Sequence, residues 1–181
     1  MKTLFLDLET TGLNKDGTDE ILEIAIIDNH GQVLMNTLVK PVIHTEWPEA
    51  QAIHGISPEM VTNAPKLDEL QWKILDLIVE HETDEIVIYN AAYDWAFMPT
   101  EIQGISIYLE IKCAMTQFAE YNGLWNVERN CWKWQKLSVA AEHFNHVWNS
   151  EAHRALADTL ALKTVWEGMA SWRLEKEHAS E

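Results

Sequence analysis

The segment Thr3–Glu9, TLFLDLE, constrains this chain more than any other. Its apolar residues predict a buried strand over residues 2–9, yet Asp7 and Glu9 alternate with Leu6 and Leu8. Successive side chains of a strand point to opposite faces, so both carboxylates project from the same face. Two like charges on an otherwise apolar strand repel each other and lose hydration, and such a pair needs compensation. Two readings supply it. One is a solvated strand end. The other is a cation site that lets both groups stay ionised. The turn-rich TTGLNKDGTD that follows, with Gly12 and Gly17, would give a ligand close access to the backbone.

Residues 20–28, EILEIAIID, predict a second strand, Asn29–Gly31 a hairpin turn, and residues 32–41 a third strand ended by Pro41. Residues 42–66 read as loop, with Ser57, Pro58 and Glu59 opening a short helix. Leu67, Leu70, Ile74, Leu77 and Ile78 recur at helical spacing. EIVIYN (residues 85–90) predicts a short buried strand, and a helix containing AYDWAFM follows it. Beyond it, the alternation of Ile105, Ile107 and Leu109 predicts a strand, CAMTQFAEY a helix, and NGLWNVERNCWKWQK an extended loop. Ser138 is a candidate cap for the helix VAAEHFNHV. Residues 151–169 carry the last long helical signal, with Asn149 and Ser150 as caps before it, and the tail from Arg173 is expected to fray. A hairpin start followed by strand, helix, strand, helix predicts an α/β fold: a mixed central sheet, antiparallel in its first three strands and flanked by helices. The length of 181 residues fits one domain over 1–181, with a core over about 2–170 and a polar tail over 171–181.

Charge narrows the partners. The chain has 13 Lys and Arg against 29 Asp and Glu, a formal charge of −16. That excludes a broad basic grip on nucleic acid, but not contact at a small site where cations offset the acidic groups. Arg129, Lys133 and Lys136 stand beside Trp125, Trp132 and Trp134. Such a group can stack a base and pair a phosphate, or its tryptophans can fill the core while the cations face water. No apolar run is long enough for a membrane span, and the first residues lack a signal-peptide core. Cys113 and Cys131 fit no zinc spacing. The expectation is a cytoplasmic protein with reduced thiols and no membrane partner.

Two further acids are anomalous. Asp94 lies between Tyr93 and Trp95 just after a β-rich segment, as a helix cap or as a ligand. Asp158 sits inside HRALADTLAL, where a helix interior disfavours Asp. His153 is five positions earlier, roughly 140° around an ideal helix. Both can serve one site only if His153 lies at the helix start or in the loop before it.

Taken together, FLDLETTGL, NAAYDWAFM and HRALADTLAL resemble the three motifs of the DEDDh 3′–5′ exonucleases, the family of polymerase proofreading subunits, over about residues 3 to 168. The resemblance implies a ribonuclease-H-like fold. It also implies hydrolysis of the terminal phosphodiester at a 3′ end with release of nucleoside 5′-monophosphates. It assigns Asp7, Glu9, Asp94, His153 and Asp158 as catalytic. The four carboxylates hold two divalent cations, Mg²⁺ or Mn²⁺, and His153 acts as general base. Thr10, Thr11, Gly12 and Leu13 border the terminal-nucleotide pocket, with main-chain amides near Thr10–Gly12 on the 3′-OH and Leu13 against the last base. His54 and Ile56, in AIHGIS, and Asn90 and Tyr93 complete the expected substrate contacts. Tyr93 stands where the family often has Phe, and Tyr89 where many members have His. The implied partner is a nucleic-acid 3′ end, with single-stranded DNA favoured and RNA or short oligonucleotides as the alternative. A polymerase or repair partner would supply the grip that so acidic a chain lacks. A non-catalytic subunit is disfavoured, because none of the five expected side chains is missing.

Overall fold

The structure is a computed structural model, and it describes residues 2–14, 17–148 and 153–178. Strand β1 (Thr3–Thr10) pairs antiparallel with β2 (Ile21–Asp28), and β2 pairs antiparallel with β3 (Val33–Leu38). The β2–β3 turn is closed by Asp28, whose carboxylate accepts the N–H groups of His30 and Gln32, both at 2.8 Å. Helices α1 (Pro48–His54), α2 (Pro58–Val61) and α3 (Leu67–Glu80) precede β4 (Glu85–Ile88), which runs parallel to β1. Then come α4 (Ala91–Phe97), α5 (Thr100–Gln103), a 3-10 turn over Gly104–Ile107, and β5 (Glu110–Cys113), parallel to β4. The sheet order is β3-β2-β1-β4-β5. Helix α6 (Ala114–Asn122), a small hairpin of β6 (Trp125–Asn126) and β7 (Cys131–Trp132), and helices α7 (Leu137–His143), α8 (Ala155–Gly168) and α9 (Ala170–His178) follow. The expected mixed sheet, antiparallel in its first three strands, is therefore present.

The alternation of β1 divides the core. Leu4, Leu6 and Leu8 pack with Ile24, Ile26, Ile86 and Ile88 under Leu70, Ile74 and Ile78 of α3. Phe5 faces the other way, with Ile27 and Val87, against Phe118 of α6, Ala140 and Ala141 of α7, and Ala161, Leu162 and Val165 of α8. Asp7 and Glu9 continue the Phe5 row and so end up on the face that α8 covers. Because β4 and β5 are parallel to β1, the loops leaving all three strands open at the same edge, where α/β sheets form their ligand crevices. A register shift between Glu9 and Thr10 leaves Leu22 as an extra residue on β2, a bulge at that edge.

Several local expectations are corrected. Residues 48–54, expected as loop, form α1, with Pro48 in its first turn and Gly55 at φ 73° closing it. Both residues here mark helix ends, a role they fill as well as they fill turns. The alternation of Ile105, Ile107 and Leu109 is not a strand; the chain makes a 3-10 turn there and the strand begins at Glu110. Ser138 lies inside α7, which starts one residue before it. The polar tail continues as α9 through His178. The caps assigned to Asn149 and Ser150 lie outside the described residues.

The contact between α7 and α8 is tight at Gly168, where a Cβ would overlap the ring of Phe144. Gly168→Ala is expected to destabilise the fold by about 1–3 kcal/mol through overpacking. A lower urea midpoint at unchanged slope would show it; an unchanged midpoint would mean that the ring yields freely.

Candidate active site

Asp7, Glu9 and Asp158 meet at the edge of the sheet. Each offers a carboxylate oxygen, and these oxygens lie within 4.8 Å of one another. β1 supplies two of the groups and the first turn of α8 the third. Asp94 comes from the first turn of α4, where it is 5% exposed. The sequence thus brings four acids from residues 7 to 158 to one crevice by three local rules: strand alternation for Asp7 and Glu9, a helix following a parallel strand for Asp94, and a helix docked across the sheet for Asp158.

The electrostatics follow from this crowding. Burial holds the Asp7 carboxyl well above the usual range, and the charges of Asp94, Asp158, Glu9 and Glu23 push it further. Glu9 is pushed up to about 8 by burial and then by Asp158, Glu23 and Asp94. Asp94 is raised to about 7, chiefly by burial. Asp158 is raised by burial, opposed by the N–H and the charge of His153. An arrangement that penalises every ionised carboxylate in it is compensated by a cation. The donor set is all oxygen, which suits a hard divalent ion that retains waters.

His153 lies one residue before the N-cap of α8, in the loop position that the five-residue spacing demanded. It adopts the left-handed region at φ 66°, an unusual conformation for a residue with a side chain. Its N–H donates to the Asp158 carboxylate at 3.2 Å, and its ring is exposed.

Glu23 is a residue that the sequence reading missed. It sits directly opposite Glu9 in the β1–β2 register and is 3% exposed. Its carboxylate accepts Nε and Nη2 of Arg154 at 3.0 and 2.5 Å, and the N–H of Ala155 at 3.0 Å. It therefore caps α8 from across the sheet and places His153 and Asp158. Arg154 is occupied by this clamp, and its charge opposes part of the rise of Glu9. The available signal was a single acid inside ILEIAIID, a strand with no other charge before its last residue.

The remaining expected contacts divide. Leu13 projects outward, 68% exposed. Thr10 and Thr11 are buried, and their hydroxyls are used within the turn: Thr10 donates to the Gly12 carbonyl at 2.9 Å and Thr11 to Asp19 at 2.8 Å. The Thr11 N–H donates to the Glu20 carbonyl. Gly12 is required there, because a Cβ would collide with the Asp19 carboxylate. Tyr93 supports the same turn, donating its O–H to the Gly12 carbonyl at 2.6 Å. The Asn90 carbonyl accepts the N–H groups of Tyr93 and Asp94 at the start of α4. His54 is buried, with Nδ1 accepting the Ile56 N–H at 3.0 Å and Nε2 facing the Thr10 carbonyl at 3.2 Å. Ile56 is fully buried against Leu22, Trp47 and Val61 and offers no surface to a substrate. His54 thus supports the TTG turn, and the Ile56 N–H fixes its ring.

Acidic groups gathered at the parallel-strand ends of such a sheet define a hydrolase of the nuclease class. The family described as Exonuclease (RNase_T) matches residues 4–165, a span that contains Asp7, Glu9, Asp94, His153 and Asp158, and the chain belongs to it. It is 40% identical over 164 residues to the uncharacterized exonuclease CP81 of Escherichia phage 186, covering 86% of this chain and 81% of that one. It is 32% identical over 108 residues to DNA polymerase III subunit epsilon of Escherichia coli K12, covering 55% of this chain and only 43% of that subunit. Among solved structures, Exonuclease X in complex with 5′ overhanging duplex DNA superposes with a TM-score of 0.65 at 24% identity, over 93% of this chain and 92% of that one. E. coli Exonuclease I in complex with a dA16 oligonucleotide superposes with a TM-score of 0.75 at 18% identity, over 94% of this chain and 41% of that one. These likenesses establish the fold.

The raised carboxylates make the metal-free fold sensitive to pH. Unfolded carboxylates ionise near about 4. Between there and the folded values, about 7 for Asp94 and about 8 for Glu9, the folded chain retains protons that the unfolded chain has lost. Stability from these groups is therefore full below about pH 4 and falls as pH rises through the folded values. Asp7→Asn removes one repelling charge. At about pH 8 the chelator-treated variant is expected to melt above chelator-treated wild type, with the gap closing near pH 5. Mn²⁺ is expected to raise the wild-type melting temperature at the higher pH and to leave the variant unmoved. Equal melting curves throughout would contradict a shared acidic site.

Proposed function

We propose that this chain is a metal-dependent 3′–5′ exonuclease that releases nucleoside 5′-monophosphates from DNA, with single-stranded ends preferred. The observation that carries the reading is the convergence of the Asp7, Glu9 and Asp158 oxygens, with Asp94 and His153 at the same edge. Asp7, Glu9, Asp94 and Asp158 would hold two divalent cations, Mg²⁺ or Mn²⁺. Such ions activate a water as nucleophile and offset charge on the departing oxygen.

The chain's own residues do the rest. His153, on an exposed loop beside Asp158, accepts the proton of the attacking water at its imidazole nitrogen. The Glu23–Arg154 clamp fixes the start of α8 beside His153, and the Arg154 charge opposes part of the rise of Glu9. Leu13 projects beside the crevice, where it can wedge against the terminal base, and the TTG turn behind it is held by Tyr93 and His54. Single strands are preferred because their ends need no unpairing energy. The relatives named for polymerase and phage exonucleases fit a role beside replication or repair, with a partner protein holding the strand.

A 5′-labelled DNA strand is expected to give a descending ladder with Mg²⁺ and none with chelator, while a 3′-labelled strand gives labelled mononucleotide at once. The reverse assignment of ends would refute the polarity, and an RNA ladder outrunning the DNA ladder would change the substrate. His153→Ala is expected to lower kcat by about 10²–10⁴-fold with little change in KM; a change confined to KM would remove its role as base.

A further inference from the structure

We propose that the hairpin of β6 and β7 is a stacking platform for the part of the strand upstream of the nucleotide being removed. The proposal deepens the exonuclease reading and rests on it. Trp125 and Trp132 face each other across the hairpin, in register, with ring centroids 4.9 Å apart and edge to face. They are 48% and 36% exposed, and Trp134, just beyond, is 59% exposed. None of the three belongs to the hydrophobic clusters among the described residues. The alternative that these tryptophans fill the core is thereby set aside.

The charge around them runs against the rest of the chain. Arg129, Lys133 and Lys136 stand with one acid, Glu128, in a protein of formal charge −16. Among the described residues, ion pairs engage Lys2, Lys112, Arg154, Lys163 and Lys176, and none engages these three. Exposed rings interleaved with cations suit a polyanion whose monomers each carry a flat π face. A second copy of this chain would bring a second large negative charge, which disfavours self-association through this face.

The platform is moored beside the crevice. The Tyr89 O–H donates to the Gln135 carbonyl at 2.9 Å. Tyr89 immediately precedes Asn90, the N-cap of the helix that carries Asp94. The tyrosine at this position, where the family often has His, thus holds the tryptophan segment to the end of β4.

The test compares kcat/KM on a DNA trinucleotide with that on a strand of about fifteen nucleotides, long enough to reach a stacking surface. Wild type is expected to favour the longer strand. In Trp132→Ala/Trp134→Ala that preference is expected to shrink by about 10-fold or more, while Trp134→Phe keeps most of it. Lys133→Ala/Lys136→Ala is expected to flatten the salt dependence on the longer strand by about two phosphate contacts. An unchanged length preference in a folded tryptophan variant would overturn the platform and leave the exonuclease reading standing. Wild type that cleaves neither substrate would overturn the reading beneath it. Sedimentation showing a wild-type dimer that the tryptophan variant dissolves would assign the face to self-association instead and overturn the proposal.

Discussion

Burial of several carboxylates at one place, compounded by their mutual repulsion, is the constraint around which this protein is organised. Asp7, Glu9, Asp94, Asp158 and Glu23 all press on one small volume. Left alone, such a group would protonate or splay apart. The fold relieves part of the load internally: Glu23 faces Glu9 and adds to the repulsion, but its own charge is matched by Arg154 and the amide of Ala155. The rest is left standing, and it is what makes the crevice attractive to hard cations. A deeper salt-bridge network would make a calmer fold, but it would occupy the oxygens that give the site its affinity. Packing elsewhere carries the cost: two apolar layers, one on each face of the sheet, hold β1 in place regardless of what its last residues prefer.

The layered architecture was legible because its signals are local and redundant. Strand alternation in TLFLDLE, the hairpin at Asn29–Gly31 and the helical spacing from Leu67 onward each name one element. Where the reading failed, one signal had two meanings. Pro48 and Gly55 delimit a helix as readily as they make turns, and β-branched residues near Ile105 alternate without pairing because the neighbouring edge of β4 is filled by Glu110–Cys113. Polarity alone predicts a frayed tail, yet α9 is placed by Trp172 packing onto the cluster beneath α8 and by the Arg173 guanidinium over the Trp166 ring, contacts that no short window displays.

The site divides along the same line. Carboxylates embedded in apolar runs announce themselves, since nothing in an isolated strand or helix explains them. The supports do not. Glu23 had the same signature as Asp7, one acid among aliphatic residues, but lacked a nearby motif to draw attention to it. His54 and Ile56 carry the sequence marks of a ligand loop, and both side chains are buried, His54 against the Thr10 carbonyl and Ile56 in an apolar cluster.

The wide spacing of the acids along the chain has a consequence for biosynthesis. Strand β1, carrying Asp7 and Glu9, is synthesised well before α8. Until that helix docks and Glu23 seizes its amino end, the nascent polypeptide holds only fragments of a cutting centre. A product stalled before α8 lacks Asp158 and the helix end that Glu23 caps, and so lacks part of the carboxylate set.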